Sequence, residues 1–427
     1  MHRRDFLSRV ALATVALKAD AVARVRQASS RLDAASPEAA AADEDFWFHV
    51  RDAFTIDRNQ IFLNSGSVSP APRIVQEAMD QYLTITNMSP SLWVDELLVP
   101  EREQVRRRLA ALFGADAEEI AITRNTSEAL EIVQLGLDLE PGDEVLTTTQ
   151  DYSRMLTTWR QRERRDGIVL RTFPVPTPPD DPAELTALFE AHVTDRTRVI
   201  HLSHVTYTAG QIFPVGAICE MARARGIETI VDGAHSFAQF PFTVADLQCD
   251  YFGTSLHKWL TAPVGTGFLY VRREKIAPLW PLMAAPPALD EDIRKFEEIG
   301  THPVAIVNAV GEAIKFHESI GPARKAARLR YLRSRWMDRV RRLSGVRLYT
   351  GATQDHACAL GTMGIDGIGA GTLTDHLQDR YGIHVRPRFV PDEWEGIRIT
   401  PNVFTTLSEI DAFAEAIEQT VRDGAGA

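Results

Sequence analysis

The chain is poor in the residues that build metal or disulfide scaffolds. Its 427 residues hold three cysteines, Cys219, Cys249 and Cys358, far apart. That spacing offers no disulfide framework and no zinc site. The histidines are scattered rather than set at metal-ligand intervals, so no metal is expected. Basic charge is also short: 47 Lys and Arg face 58 Asp and Glu, for a net charge of −11. No surplus remains to neutralise phosphates, which argues against a nucleic-acid partner. No apolar run is long enough to span a membrane. What remains is ordinary globular composition, 44% hydrophobic and 25% charged, with length for two or three domains.

The N-terminus stands apart. Arg3-Arg-Asp-Phe-Leu7 has the form of a twin-arginine export motif, followed by the apolar run Val10–Leu17 and a small-residue cleavage site at Ala21–Ala23. Residues 1–23 are therefore expected to be a signal peptide read by the twin-arginine export machinery, with a periplasmic destination. The competing reading is a basic tail on a cytoplasmic enzyme. Residues 24–45 are rich in Ala, Ser, Asp and Glu and read as a linker.

From Phe46 onward the pattern is globular. Val75–Leu83 and Arg102–Phe113 have helical spacing, the second stopped by Gly114. Strands are expected at 120–122, 144–148, 168–173, 198–202, 227–231, 251–255 and 266–271. Helices are expected at 127–137 and 215–225. This alternation predicts an α/β domain over 46–308 with a mostly parallel sheet and one antiparallel strand near its end. The charged stretch Ala309–Leu343 reads as a connecting helix. Beyond it lies a smaller α+β domain, to which 46–65 also partly belongs.

The chemistry-bearing residues fall at the ends of these strands. Lys258 follows the strand 251–255 in Ser255-Leu-His-Lys258, and Asp232 ends another in Asp232-Gly-Ala-His235. A lysine amine and a carboxylate so placed suit pyridoxal 5′-phosphate (PLP). The amine bonds to the cofactor aldehyde, and the carboxylate keeps the pyridine nitrogen protonated. His235 is within reach of the ring's phenolic oxygen. Thr126 and Ser127 open a helix, where free N–H groups and hydroxyls receive an anion. Ser255 and His257 are further donors for the phosphate, and Tyr152 can stack on a planar ring.

Asp232-Gly-Ala-His235, Ser255-Leu-His-Lys258 and Gly265-Thr-Gly-Phe-Leu-Tyr270 resemble class V aminotransferases of PLP fold type I, in the isopenicillin N epimerase-like branch. The resemblance runs from about Phe62 to Val421. It implies a large domain with a seven-stranded sheet and a smaller C-terminal domain. It implies that Thr126 and Ser127 hold phosphate and that Tyr152 covers the ring. It further implies that Thr206 lies near the phenolic oxygen and that Thr301 reaches the phosphate across a homodimer interface. Arg398 matches the arginine for the substrate α-carboxylate, and Arg386 a second active-site arginine. One departure narrows the chemistry. Cysteine desulfurases of this class carry a nucleophilic cysteine shortly after the arginine matched by Arg386, and Arg386–Trp394 has none.

The shared early step is proton transfer at the substrate α-carbon by Lys258. Transamination, epimerisation and β- or γ-elimination all follow from it. With an export signal, the pattern is similar to the periplasmic PLP enzymes that tailor the siderophore pyoverdine. The expected substrate is thus a peptide or siderophore with an amino-acid end, with a free amino acid as the alternative. A rival from another class is a non-catalytic PLP-fold binding protein. It has no need for Lys258, Asp232, Tyr152 and Arg398 together.

Overall fold

The computed structural model describes residues 20–32 and 34–424. The twin arginines and the apolar run Val10–Leu17 lie outside the described residues. No described helix is long and apolar enough to cross a membrane.

A seven-stranded sheet forms the centre. Its strands are β2 (Ile120–Thr123), β3 (Glu144–Thr148), β4 (Val169–Phe173), β5 (Thr197–Ser203), β6 (Glu228–Asp232), β7 (Tyr251–Ser255) and β8 (Gly267–Val271). Their order across the sheet is β2-β8-β7-β6-β5-β3-β4. Only β8 runs against its neighbours β2 and β7. The apolar runs at 120–122 and 227–231 are buried on both faces, as a helix-covered parallel sheet requires. The covering helices include α5 (Val99–Phe113), α6 (Thr126–Gly136), α7 (Ser153–Asp166), α8 (Glu184–His192) and α9 (Val215–Arg223). Gly114 ends α5 in the left-handed region at φ +73°.

Because β2, β3, β5, β6 and β7 are parallel, their C-terminal ends share one edge of the sheet. Open α/β sheets bind ligands at that edge. The loops leaving it carry Thr126, Tyr152, Thr206, Asp232–His235 and Lys258.

The smaller C-terminal unit is a four-stranded antiparallel sheet. Its strands are β9 (Val346–Leu348), β10 (Gly361–Ile365), β12 (Arg386–Val390) and β13 (Trp394–Ile399), in the order β12-β13-β10-β9. Helices α12 (Ala370–Tyr381) and α13 (Leu407–Asp423) complete it. The short strand β1 (Ile61–Phe62) pairs in parallel with β11 (Ile383–His384). The early chain thus joins the C-terminal unit through this pairing.

Two readings of the sequence need correction. Residues 24–45 do not form a linker. Helix α1 (Asp20–Ser30) buries Val25 and Ala28, and α2 (Pro37–Ala41) buries Ala40 and Ala41. Helix α3 (Glu44–Asp52) follows, and Trp47 donates its indole N–H to the Ala40 carbonyl at 2.8 Å. Small side chains that look like linker composition here permit close helix packing. The stretch Ala21–Ala23, expected as a cleavage site, starts α1.

The second correction concerns the connecting helix. It is two helices, α10 (Val304–Ile320) and α11 (Pro322–Val340). Gly321, at φ +90°, and Pro322 break the run between them. Helix α10 packs on α5 and on α4 (Arg73–Met88), so it belongs to the large unit.

Candidate active site

Lys258 lies just past β7, and its Nζ is 3.3 Å from Nε2 of His235. Burial lowers the Lys258 amine from 10.5 to about 8. Asp232 pulls the other way, and Arg398 and Arg388 push it down further. Burial raises Asp232 from 3.8 to about 6, opposed by Lys258 and by the Ala234 N–H that donates to Oδ1 at 2.9 Å. Between these two values carboxylate and ammonium are both charged.

His235 is buried, and desolvation holds its pKa well below the usual histidine range. The neutral ring accepts from the lysine ammonium at Nε2. Its Nδ1 is then left buried without a partner. A buried polar atom without a partner costs free energy unless a ligand meets it.

On the β2 side, Asn125 caps α6 by accepting the Glu128 N–H at 2.9 Å, and Glu128 reaches back to the Arg124 N–H at 2.5 Å. Capping is therefore carried by Asn125 and Glu128. Thr126 turns instead toward β7. Its N–H donates to Ser255 Oγ at 2.9 Å, and the two hydroxyls are 2.7 Å apart. Ser127 follows, half-buried in the first turn. Gly267 permits this approach, because a Cβ there would lie 2.8 Å from the Asn125 Cα.

His257 Nδ1 faces the Thr266 carbonyl at 3.2 Å, and that oxygen can only accept. The proton of the neutral ring therefore sits on Nδ1. Burial and then Lys258 lower this histidine to about 4. It can donate from Nε2 only by taking up a proton, which a nearby phosphate dianion favours.

Asp151 fastens the loop carrying Tyr152. Its carboxylate accepts from the hydroxyls of Thr147, Thr148 and Ser203 at 2.7–2.8 Å. Tyr152 meets Tyr207 edge to face, with ring centroids 5.2 Å apart.

The C-terminal unit contributes Arg398, 1% exposed. Its Nη1 donates to the Tyr207 carbonyl at 2.9 Å. Its Nη2 donates to Asn64 Oδ1 at 3.3 Å and to Ser67 Oγ at 3.2 Å. All these acceptors are neutral, and its Nε has no partner. Burial works against the guanidinium charge, reinforced by Arg388. An arginine does not deprotonate in a protein, so the site presents an uncompensated cation. Gly66 makes room for it, since a Cβ there would sit 3.1 Å from the Arg398 Cζ.

Thr126, Ser255, Asp232, His235, His257, Lys258, Tyr152 and Arg398 thus gather around one sheet edge. Other expected residues are placed differently. Thr206 Oγ1 accepts from the Gln211 N–H at 3.1 Å, inside its own turn, and the neighbouring Tyr207 makes the contacts described above. Arg386 is exposed, whereas Arg388, two residues on, lies over the Tyr207 ring. Thr301 is exposed, beside His302, which meets Arg102 on α5. Sequence reasoning missed Asn64, Ser67, Tyr207 and Arg388. Asn64-Ser-Gly66 has only the local pattern of a turn, and Tyr207 directly follows Thr206 in the chain.

The profile of the family Aminotransferase class-V matches residues 61–387. The chain belongs to this family. It is 34% identical over 394 residues to an isopenicillin N epimerase of Streptomyces clavuligerus, covering 87% of this chain and 98% of that protein. Among solved structures, a cysteine desulfurase of Thermococcus onnurineus superposes with a TM-score of 0.78 at 24% identity, covering 89% of this chain and 98% of that one. The protein C-DES, solved with glycine covalently linked to its PLP cofactor, gives a TM-score of 0.75 at 24% identity, over 85% and 99% of the two chains. The fold is that of PLP fold type I, and this class V aminotransferase relative is a PLP-dependent enzyme.

The site fits that cofactor. It has a buried carboxylate, a desolvated lysine, an unpartnered histidine Nδ1 and a hydroxyl-lined helix start. The three cysteines are buried away from solvent. Burial raises Cys358 to about 11 and Cys219 to about 12, and holds Cys249 well above the usual thiol range. None of them is a poised thiolate.

Proposed function

We propose that the protein moves a proton at the α-carbon of an amino acid, either free or at the end of a peptide or siderophore. The observation that carries this is the pairing of a desolvated lysine amine with a buried arginine that lacks an anion. PLP, when bound, supplies an electron sink for negative charge at the α-carbon.

The roles of the chain's residues follow from their surroundings. Lys258, held near 8, is poised to give and take a proton close to neutral pH. Asp232 would pair with the pyridine nitrogen, and His235 would offer its free Nδ1–H to the ring's phenolic oxygen. Thr126, Ser127, Ser255 and His257 would hold the phosphate, with Thr301 reaching it from the partner in a homodimer. Tyr152 would cover the ring face. Arg398 takes the α-carboxylate in a two-pronged contact, with Arg386 near the entrance.

Two finer readings have separate support. The twin-arginine motif favours a periplasmic enzyme that modifies a siderophore of the pyoverdine type. The similarity to an isopenicillin N epimerase favours epimerisation. The lack of a poised thiolate disfavours cysteine desulfuration.

The test is incubation of the PLP-loaded protein with amino acids and siderophore peptides in deuterated water, followed by mass spectrometry. Deuterium uptake at the α-carbon with inversion of configuration, read by chiral chromatography, identifies epimerisation, and accumulation of the pyridoxamine form identifies transamination. Absence of exchange with every substrate, despite bound cofactor, contradicts the proposal. Export is tested by fractionation. An Arg3→Lys/Arg4→Lys variant is expected to stay in the cytoplasm, and its arrival in the periplasm rules out the twin-arginine route.

A further inference from the structure

Beside Arg398, the antiparallel pair β12–β13 carries two more arginines on the same face. Arg386 stands directly opposite Arg398 in register, and Arg388 follows two residues along the strand. Alternation along a strand puts residues i and i+2 on one face. Three guanidinium groups therefore share a surface. Like charges directly opposite each other are destabilising unless an anion intervenes. Among the described residues, no carboxylate forms an ion pair with any of the three. Opposite Arg388 stands Gly396, which has no side chain to offer.

Arg388 is not a loose surface arginine. Its guanidinium lies 5.3 Å from the centroid of Tyr207. Its Nε donates to the Tyr207 carbonyl at 3.3 Å, the same oxygen that receives Arg398 Nη1 at 2.9 Å. Its Nη1 donates to the Pro387 carbonyl at 3.0 Å. These neutral acceptors fix the head group without cancelling its charge. Arg388 also depresses the Lys258 amine, which places it within electrostatic reach of the reacting centre.

One substrate α-carboxylate answers Arg398, and the phosphate-binding groups lie at the start of α6. The positive charge at Arg388 is left over. We infer that Arg388 forms a second anion subsite and that the substrate carries a second carboxylate on its side chain. This rests on the proposal that the site takes an amino acid.

The experiment is a spectral titration of the PLP-loaded protein with L-glutamate and L-α-aminoadipate against L-glutamine and L-norleucine. It reads equilibrium binding rather than turnover. The acidic pair is expected to bind at least about tenfold tighter, the size of a charge-assisted contact. Arg388→Gln is expected to bring the two pairs to parity, and Arg388→Lys to keep part of the preference. Arg398→Gln weakens all four. Equal affinity for both pairs in the unmodified protein overturns the inference, as does an equal loss for both pairs in Arg388→Gln. A cofactor band that none of the four disturbs overturns the amino-acid reading itself, and the subsite with it.

Discussion

Lys258 and Lys325 are both desolvated lysines, and they differ in what surrounds them. Burial lowers Lys258 to about 8 and Lys325 to about 7. By that criterion Lys325 is the more perturbed. Yet Lys325 lies on α11, 1% exposed, with its ammonium donated to the Trp259 carbonyl and 3.5 Å from His317 Nδ1. Lys258 instead has a carboxylate within electrostatic reach, a histidine beside it whose Nδ1 has no partner, and Arg398 and Arg388 acting on it from the C-terminal sheet. A perturbed pKa marks a candidate, and unmet polar groups around it mark a site. Lys325 serves structure: it holds the carbonyl of the residue after Lys258. Arg328 and Arg333 on the same helix do likewise, donating to Ala41 and Thr405 and to Ala352 and Thr353.

The largest expected contrast is in α-proton exchange. Lys258→Ala should lose at least about 10³-fold, in the range for removal of a general base, while Lys325→Met retains exchange. Solvent deuterium uptake measures both, and equal losses would erase the distinction between the two lysines.

Next comes Arg398→Gln, which should weaken amino-acid binding by about 10- to 100-fold, as expected for loss of a charge-assisted contact. Spectral titration reads it. The comparable change Arg333→Gln should leave amino-acid affinity unaltered, because that cation donates to the Ala352 and Thr353 carbonyls and, unlike Arg398, is not among the charges that act on Lys258.

The smallest effect is on the pH dependence of stability without cofactor. Lys325 titrates near 10.5 when unfolded and near 7 when folded, so the unfolded state binds more protons between those values. Stability therefore rises with pH across that window, and more weakly through Lys258 from about 8 upward. Lys325→Met should flatten the rise. Urea midpoints across the window measure it, and an unchanged slope would mean that Lys325 is not desolvated in the folded protein.

Much of this was legible in the chain. The strands 144–148 and 251–255 were bounded correctly, because apolar runs between turn residues mark buried strands. Lys258, Asp232 and Thr126 were singled out because strand ends concentrate the chemistry, and all three lie at one edge of the sheet. The rest depended on distant parts of the chain. Asn64 and Ser67 meet Arg398 only because β1 joins the C-terminal unit, a contact that no local pattern encodes. Arg388 was passed over because alternation puts it on the same face as Arg386, and only the packing of Tyr207 separates their roles. Helices α1 and α2 looked like a linker because alanine-rich sequence gives little periodic signal, although Ala40 and Ala41 are buried.

The central claim is that Lys258, and no other buried lysine, bonds the cofactor. Borohydride reduction of the PLP-loaded protein, followed by peptide mass mapping, tests it most directly. The cofactor mass is predicted on the peptide containing Lys258 alone. Its appearance on Lys325 or another lysine, or on none, would contradict the account.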